Sequence, residues 1–477
     1  MHATFKEIPQ QAIDLLQEAV GQSFLFTDTA TLQDYGHDET ENLQYPPQVL
    51  VKPANTAQVA ACVKIAHNFD LPVVTIGGRT GLSGGALSIH GGIAIAMERF
   101  NQILNIDEKN LQVTTQPGVI TQVLRDTLAT HNLSYPVDPS SQGSCFIGGN
   151  VAENSGGARA VKYGVTSDYV LNLEVVLPDG SIIWTGANTL KNATGYNLTQ
   201  LMVGSEGTLG IITTIVLKVV PVNPHNILML VPFYRASQAC EAVSAIFRAG
   251  IVPSALEFME RDAIDWTLKF MPEVQVPVQE KIQAHLLIEV DGTHQDVLFA
   301  EAEKIAEVLE AFELDEILFA DTEDQKNALW KMRRAVAEAV KANSVYKEED
   351  TVVPRYELPK LLAGVKAIGS KYGFQSVCYG HAGDGNLHIN IIKGNMTEEA
   401  WQTQVPLGIK ELFELTVSLK GTLSGEHGIG LVQKNYMPIA FSDLQLRLMW
   451  GIKQLFDPKN IMNPGKIFPD YITDIQK

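Results

Sequence analysis

Gly77-Gly-Arg-Thr-Gly-Leu-Ser-Gly-Gly85 follows the strand-like run 72–76 and places five glycines in nine residues. Successive bare N–H groups, with the Thr80 and Ser83 hydroxyls beside them, form a nest that can hold a diphosphate without a lysine. The loop is neither GxGxxG nor a Walker A, so the Rossmann and P-loop readings do not apply. An ordinary glycine-rich turn is the competing reading. Upstream, the periodicity predicts an N-terminal helix around residues 12–20, strand 49–52 and helix 55–68, a βαβ-like start.

Downstream, strand 111–115 and helix 118–131 precede Tyr135-Pro-Val-Asp-Pro-Ser-Ser-Gln-Gly-Ser-Cys-Phe-Ile-Gly-Gly-Asn-Val-Ala-Glu-Asn-Ser-Gly-Gly157. That run is rich in small polar residues and reads as a structureless, ligand-holding segment. Residues 170–177 and 181–184 flank Pro178-Asp179-Gly180 as a hairpin, and Gly204-Ser-Glu-Gly-Thr-Leu-Gly210 enters strand 211–219. Pro221-Val-Asn-Pro224 is a candidate domain boundary. Beyond it, strands 228–233, 254–259 and 285–290 alternate with helices 237–248 and 295–312, suiting an antiparallel sheet capped by helices. Thr322 and Gln325 form a capping box opening a helix over 323–342, which carries Trp330, Arg333 and Arg334.

The 477 residues allow two or three domains, and 45% hydrophobic with 19% charged residues is ordinary globular composition. A net charge of −18 argues against a nucleic-acid partner and against docking on anionic lipid by charge alone. Cys62, Cys145, Cys240 and Cys378 form no CxxC, so neither an iron–sulfur cluster nor a disulfide framework is indicated. No signal-peptide pattern and no apolar run of about 18 residues is present. The expectation is a cytoplasmic protein without a transmembrane segment; peripheral membrane attachment and a homodimer are left open.

Tyr379-Gly-His-Ala-Gly-Asp-Gly-Asn-Leu-His-Ile-Asn390 carries the chemistry. Strand alternation puts His388 and Asn390 on one face, and His381 can return toward it from the turn. Gly425-Glu-His-Gly428 adds a carboxylate and a third imidazole in another loop. Two histidines and a glutamate suffice for a catalytic divalent metal with an open position. A histidine pair near a turn is also a common surface or core feature, and spacing alone does not choose between the two.

The three glycine-rich segments, in this order, resemble the FAD-binding domain of the vanillyl-alcohol-oxidase/PCMH flavoprotein superfamily. Glu349-Asp-Thr-Val-Val-Pro354, Gly380–Asn390, Ser424-Gly-Glu-His-Gly-Ile-Gly430 and Asn463-Pro-Gly-Lys466 resemble its D-lactate dehydrogenase/glycolate oxidase/D-2-hydroxyglutarate dehydrogenase group. The resemblance implies an α+β protein. An N-terminal helical segment (1–44) precedes a PCMH-type FAD-binding domain of two α+β subdomains (45–222). An antiparallel-sheet substrate domain (223–420) and a C-terminal segment returning to the flavin (421–477) follow. FAD would contact Gly77, Gly78, Arg79, Thr80, Gly81, Leu82, Ser83 and Gly84 in the first loop. In the second it would contact Pro139, Ser140, Gly143, Ser144, Gly148, Gly149, Asn150, Asn154, Gly156 and Gly157. Glu206, Gly207, Gly210, Ile211, Ile212 and Asn463 complete the set. Some members attach the flavin through a histidine in or near the first loop; Arg79 and no histidine stand there, so FAD is expected to be non-covalent.

The same resemblance makes His381, His388 and Glu426 ligands of a divalent metal (Zn, Mn or Fe), His427 the general base and Asn390 a substrate-orienting residue. His427 as a further metal ligand stays open. Arg333 would grip the substrate carboxylate, with Lys347 a second candidate. The implied reaction is oxidation of a D-2-hydroxy acid by hydride transfer to flavin N5. Electrons then pass to a quinone, an electron-transfer flavoprotein or a partner subunit. Ala337, four residues after Arg333, offers no hydrogen bond, which favours D-lactate or glycolate over the diacid D-2-hydroxyglutarate. Competing readings are a non-catalytic flavin subunit of a larger oxidase and an NADPH-dependent reductase of an enol-ether nucleotide sugar. The complete histidine–glutamate set argues against the first, and the second half of the chain against the second.

Overall fold

The computed structural model describes residues 7–473 apart from Gln275 and Pro277. The chain divides into two compact units: Met1–Gly156, Val165–Val222 and Glu426–Lys477 form the first, and Gly157–Gly164 with Asn223–Gly425 the second.

In the first unit, Val49–Val51, Ile93–Ala96 and Val73–Ile76 pair in parallel, with Leu25–Phe26 antiparallel at one edge. Parallel strands buried on both faces need apolar residues on both. Val49, Val51, Val73, Ile93 and Ile95 accordingly pack with Ala12, Leu16, Val59, Cys62 and Val63, which come from helices Gln10–Val20 and Thr56–Phe69. The alternate residues Leu50, Val74, Ile76, Ala94 and Ala96 form a second cluster. At the other edge, Val73 donates to Ile461 O (2.7 Å) and accepts from Asn463 N (2.7 Å), so the C-terminal stretch covers the open strand. A five-stranded antiparallel sheet runs Ile103–Asp107, Gln112–Thr115, Ile211–Lys218, Val170–Val176, Ile182–Trp184.

The second unit is built on a seven-stranded antiparallel sheet in the order Leu318–Phe319, His225–Phe233, Ala284–Gly292, Ala255–Glu260, Gln375–Gly380, Asn386–Ile392, Tyr346–Val352. Its register decides which side chains meet. Leu287 faces Glu257, Met259 faces Tyr379, Tyr379 faces His388, His388 faces Asp350 and Asn390 faces Glu348. Directly opposed residues share a face. One face therefore carries Glu289, Glu257, Tyr379, His388, Asn390, Glu348 and Asp350 among the apolar residues Leu230, Leu287 and Met259.

Two sequence expectations are corrected. The run 135–157 is not structureless: Ile147–Glu153 is a helix, admitted because Gly148 lacks the Cβ that would lie 2.4 Å from Pro117 Cβ. The helix over 323–342 is two, Glu323–Arg334 and Val336–Asn343, broken at Ala335, although the Thr322/Gln325 capping box is formed. Tyr346–Val352, whose Lys-Glu-Glu-Asp hides any alternation, is a strand.

Two measurements test this packing. Gly385, at φ +89°, would place a Cβ 1.9 Å from Val353 O, whereas Gly373, at φ +81°, has open space there. Gly385→Ala is expected to cost more than 2 kcal/mol in denaturant unfolding and Gly373→Ala about 1 kcal/mol, set by the backbone alone. His285, wholly buried with neither ring nitrogen paired, is held down to about 4 from 6.5 by burial and by the Arg261 charge. Its imidazole stays neutral in the fold while the unfolded chain takes up a proton, so the stability it supports is full above pH 6.5 and falls as pH drops toward 4. The stability of wild type minus His285→Leu should therefore decrease between those pH values, by at most about 1.4 kcal/mol per unit.

Candidate active site

Glu257 lies in the central strand of the seven-stranded sheet with 1% of its side chain exposed. His381 Nδ1 stands 2.9 Å from each of its oxygens, and Arg333 Nη2 stands 2.7 Å from Oε2. Burial alone would raise the Glu257 carboxyl; His381 and Arg333 outweigh it and hold the group below its ordinary range. A carboxylate only accepts, so Nδ1 carries the His381 proton and Nε2 is the nitrogen that offers a lone pair.

The Tyr379 ring joins this corner to the next strand. The Arg333 guanidinium lies 5.1 Å from its centre, and the His388 ring 5.2 Å away. The His381 and His388 ring centres are 5.4 Å apart at 81°. Burial and the Glu348 carboxylate push the Tyr379 phenol well above its usual range, so it stays a neutral donor. His388 Nδ1 lies 3.3 Å from Glu348 and 3.8 Å from Asp350. Asp350, fully buried, accepts from Asn386 Nδ2 (2.6 Å), Ser424 Oγ (3.0 Å) and Gly425 N (2.8 Å). It thus fixes the residue immediately before Glu426.

Two buried polar groups here lack a hydrogen bond of normal geometry: Arg333 Nε, and the Asn390 amide, which is left with the Tyr379 hydroxyl as its neighbour. Unpaired buried donors and acceptors are costly, which marks a place for a polar ligand. Arg333 is therefore not a solvated helix residue; its neighbour Arg334 is, exposed over the Trp330 ring. Arg333 and Ala337 lie on different helices, so the four-residue spacing argument does not hold. Lys347 pairs with Ile391, on the face opposite Asn390 and His388.

A second polar cluster lies farther along the same face. Glu289 accepts from Arg159 (2.6 Å) and Trp330 Nε1 (2.9 Å), and Asp291 from Lys162 (2.7 Å) and Tyr163 (2.6 Å). Glu257, Asp350, Glu289 and Asp291 escaped the sequence reading. For Glu289 and Asp291 the signal was charge at alternate positions of an otherwise apolar strand, Ala284-His-Leu-Leu-Ile-Glu-Val-Asp-Gly292.

In the first unit the glycine loops converge. A Cβ on Gly78 would meet Ser144 O at 2.6 Å, so the first loop lies directly on the second. Asn463 Nδ2 donates to Gly85 O (2.9 Å) and Glu206 O (2.7 Å), tying the third loop to the first. The Glu206 carboxylate accepts from Ile429 N (2.8 Å) and Gly430 N (2.7 Å). Arg79, at φ +59°, stacks its guanidinium 4.6 Å from the Tyr35 ring centre. Gly81, Gly143, Gly149 and Gly207 have nothing within 4 Å of an added Cβ, so bare backbone faces open space as a diphosphate cradle requires. These residues fit FAD. Gly157 begins the short segment assigned to the second unit, and Glu426 and His427 open the last segment of the first.

Among the described residues, no helix is long and apolar enough to cross a membrane. The "FAD binding domain" family matches residues 47–186 and the "FAD linked oxidases, C-terminal domain" family residues 222–467. A D-lactate dehydrogenase of Anaerostipes hadrus is 38% identical over 97% of this chain and 98% of its own length. The glycolate oxidase subunit GlcD of Bacillus subtilis is 38% identical, covering 91% and 92%. A D-2-hydroxyglutarate dehydrogenase of Stutzerimonas stutzeri is 33% identical, covering 96% and 98%. Among solved structures, p-cresol methylhydroxylase superposes with a TM-score of 0.80 at 17% identity, covering 97% of each chain, a likeness of fold. The two domains, the cradle and full-length relatives at this identity place the chain in the FAD-linked oxidase family, as an FAD-dependent oxidoreductase.

Proposed function

We propose that the chain oxidises a small 2-hydroxy monocarboxylate, D-lactate or glycolate, to the 2-oxo acid; D-2-hydroxyglutarate is the alternative substrate. One observation carries this reading: Arg333 Nε and the Asn390 amide, neither with a hydrogen bond of normal geometry, are buried around the Tyr379 ring that also meets His388. A 2-hydroxy acid brings a carboxylate and a hydroxyl that would relieve both. Arg333 binds the carboxylate through its planar fork, and Asn390 orients the substrate. His427 takes the hydroxyl proton. Bound FAD supplies a two-electron acceptor for the hydrogen leaving Cα, as hydride. His381, His388 and Glu426 hold a divalent metal, whose chemistry when bound is to acidify the hydroxyl. The nitrogen and oxygen donors suit zinc, manganese or iron.

The relatives support the substrate class: those named for D-lactate and glycolate are 38% identical, and the one named for D-2-hydroxyglutarate 33%. The word subunit in the glycolate oxidase name favours a protein partner as electron acceptor, with a quinone or an electron-transfer flavoprotein as the other candidates.

The test is anaerobic. D-Lactate, glycolate and D-2-hydroxyglutarate are added separately to the FAD-loaded protein while oxidised-flavin absorbance is followed, before and after chelator treatment. Rapid bleaching by a monocarboxylate, lost with chelator and restored by Zn²⁺ or Mn²⁺, is expected. A strong preference for the diacid would overturn the substrate choice, and bleaching indifferent to chelator the metal. Arg333→Lys should retain flavin and raise KM about ten-fold or more, since an ammonium cannot hold both carboxylate oxygens.

A further inference from the structure

We propose that Glu257 is a positioning residue that sets His381 for the metal and Arg333 for the substrate carboxylate at once; this rests on the reading above. The same carboxylate holds His381 Nδ1 at 2.9 Å from both oxygens and Arg333 Nη2 at 2.7 Å from one. Its strand is the fourth of seven, flanked by Ala284–Gly292 and Gln375–Gly380, so it has no freedom to swing. Bonded to an acceptor, Nδ1 keeps its proton and His381 presents Nε2 as a ligand. Such carboxylate–histidine contacts orient and strengthen metal ligands generally. On the other side, Glu257 Oε2 forms an ion pair with Nη2 at 2.7 Å, off the geometry of a hydrogen bond, and Nε has no partner. The arginine is thus aimed without being saturated.

Fold stability does not explain this arrangement. Replacing buried ion clusters by apolar residues of similar volume is often neutral or stabilising. Here three charged or ionisable groups, each no more than 7% exposed in its side chain, are held together at the one place where a polar ligand is wanted.

The test uses FAD-loaded protein stripped of metal by chelator, in four forms: wild type, Glu257→Gln, Glu257→Asp and His381→Ala. Zn²⁺ affinity is measured by competition with a chromophoric chelator. KM for the acid that bleaches the flavin is measured separately at saturating Zn²⁺. Glu257→Gln should weaken Zn²⁺ binding about 10–100-fold and raise KM at least several-fold, with flavin content unchanged. Glu257→Asp keeps the charge but draws it back by one methylene; it should lose less of both, and it carries the test if the glutamine variant does not fold. Zn²⁺ affinity and KM both at wild-type values in the folded variants overturn the proposal, and so does a change in only one of them. His381→Ala separates the two levels. If it binds Zn²⁺ as tightly as wild type, the metal reading itself fails; if it loses Zn²⁺ while Glu257→Gln does not, only the role of Glu257 falls.

Discussion

A carboxylate buried to 1% exposure stays ionised only if positive or proton-donating groups are set against it, and Glu257 has two. Everything around the candidate site follows from satisfying that one charge. Arg333 is drawn inward from the end of its helix while Arg334 remains outside. His381 is fixed in one tautomer. Tyr379, stacked between Arg333 and His388, is kept neutral beside Glu348. The strand register supplies the scaffold: a slip of one residue would turn His388, Asn390 and Asp350 to the other face.

The strand of the candidate site was legible in the sequence where glycine punctuates it. The Tyr379–Asn390 stretch announces a turn followed by an alternating strand, and the strand found there presents His388 and Asn390 on one face. The parallel sheet was legible too, because Val49–Val51 and Val73–Ile76 are apolar on both faces. What stayed hidden depends on long-range pairing. Nothing near Glu257 in sequence says that its partners stand 76 and 124 residues away. Tyr346–Val352 shows no strand pattern in sequence because its charged Glu348 and Asp350 face inward instead of solvent. The break at Ala335 sits among good helix formers, so propensity gives no notice of it.

The flavin cradle follows a different rule. Glycines and small residues line its open space, and longer side chains tie the loops together from behind. Asn463 clips Gly85 to Glu206, and Lys466, lowered to about 8 by burial against the pull of nearby carboxylates, donates to Leu87 O at 2.7 Å. Glycine is required where chains touch, as at Gly78 and Gly148, and it leaves open space at Gly81 and Gly149.

Neither unit is continuous in sequence: the chain passes between them at 156/157, 164/165, 222/223 and 425/426. During synthesis the ribosome therefore delivers all of the second unit before the last segment of the first. Until residues 461–463 emerge, the Val73–Ile76 strand has an open edge, able to pair with another nascent chain. Closing that edge also brings Asn463 onto Gly85 and Glu206, so completion of the sheet and assembly of the cofactor cradle are one late folding event.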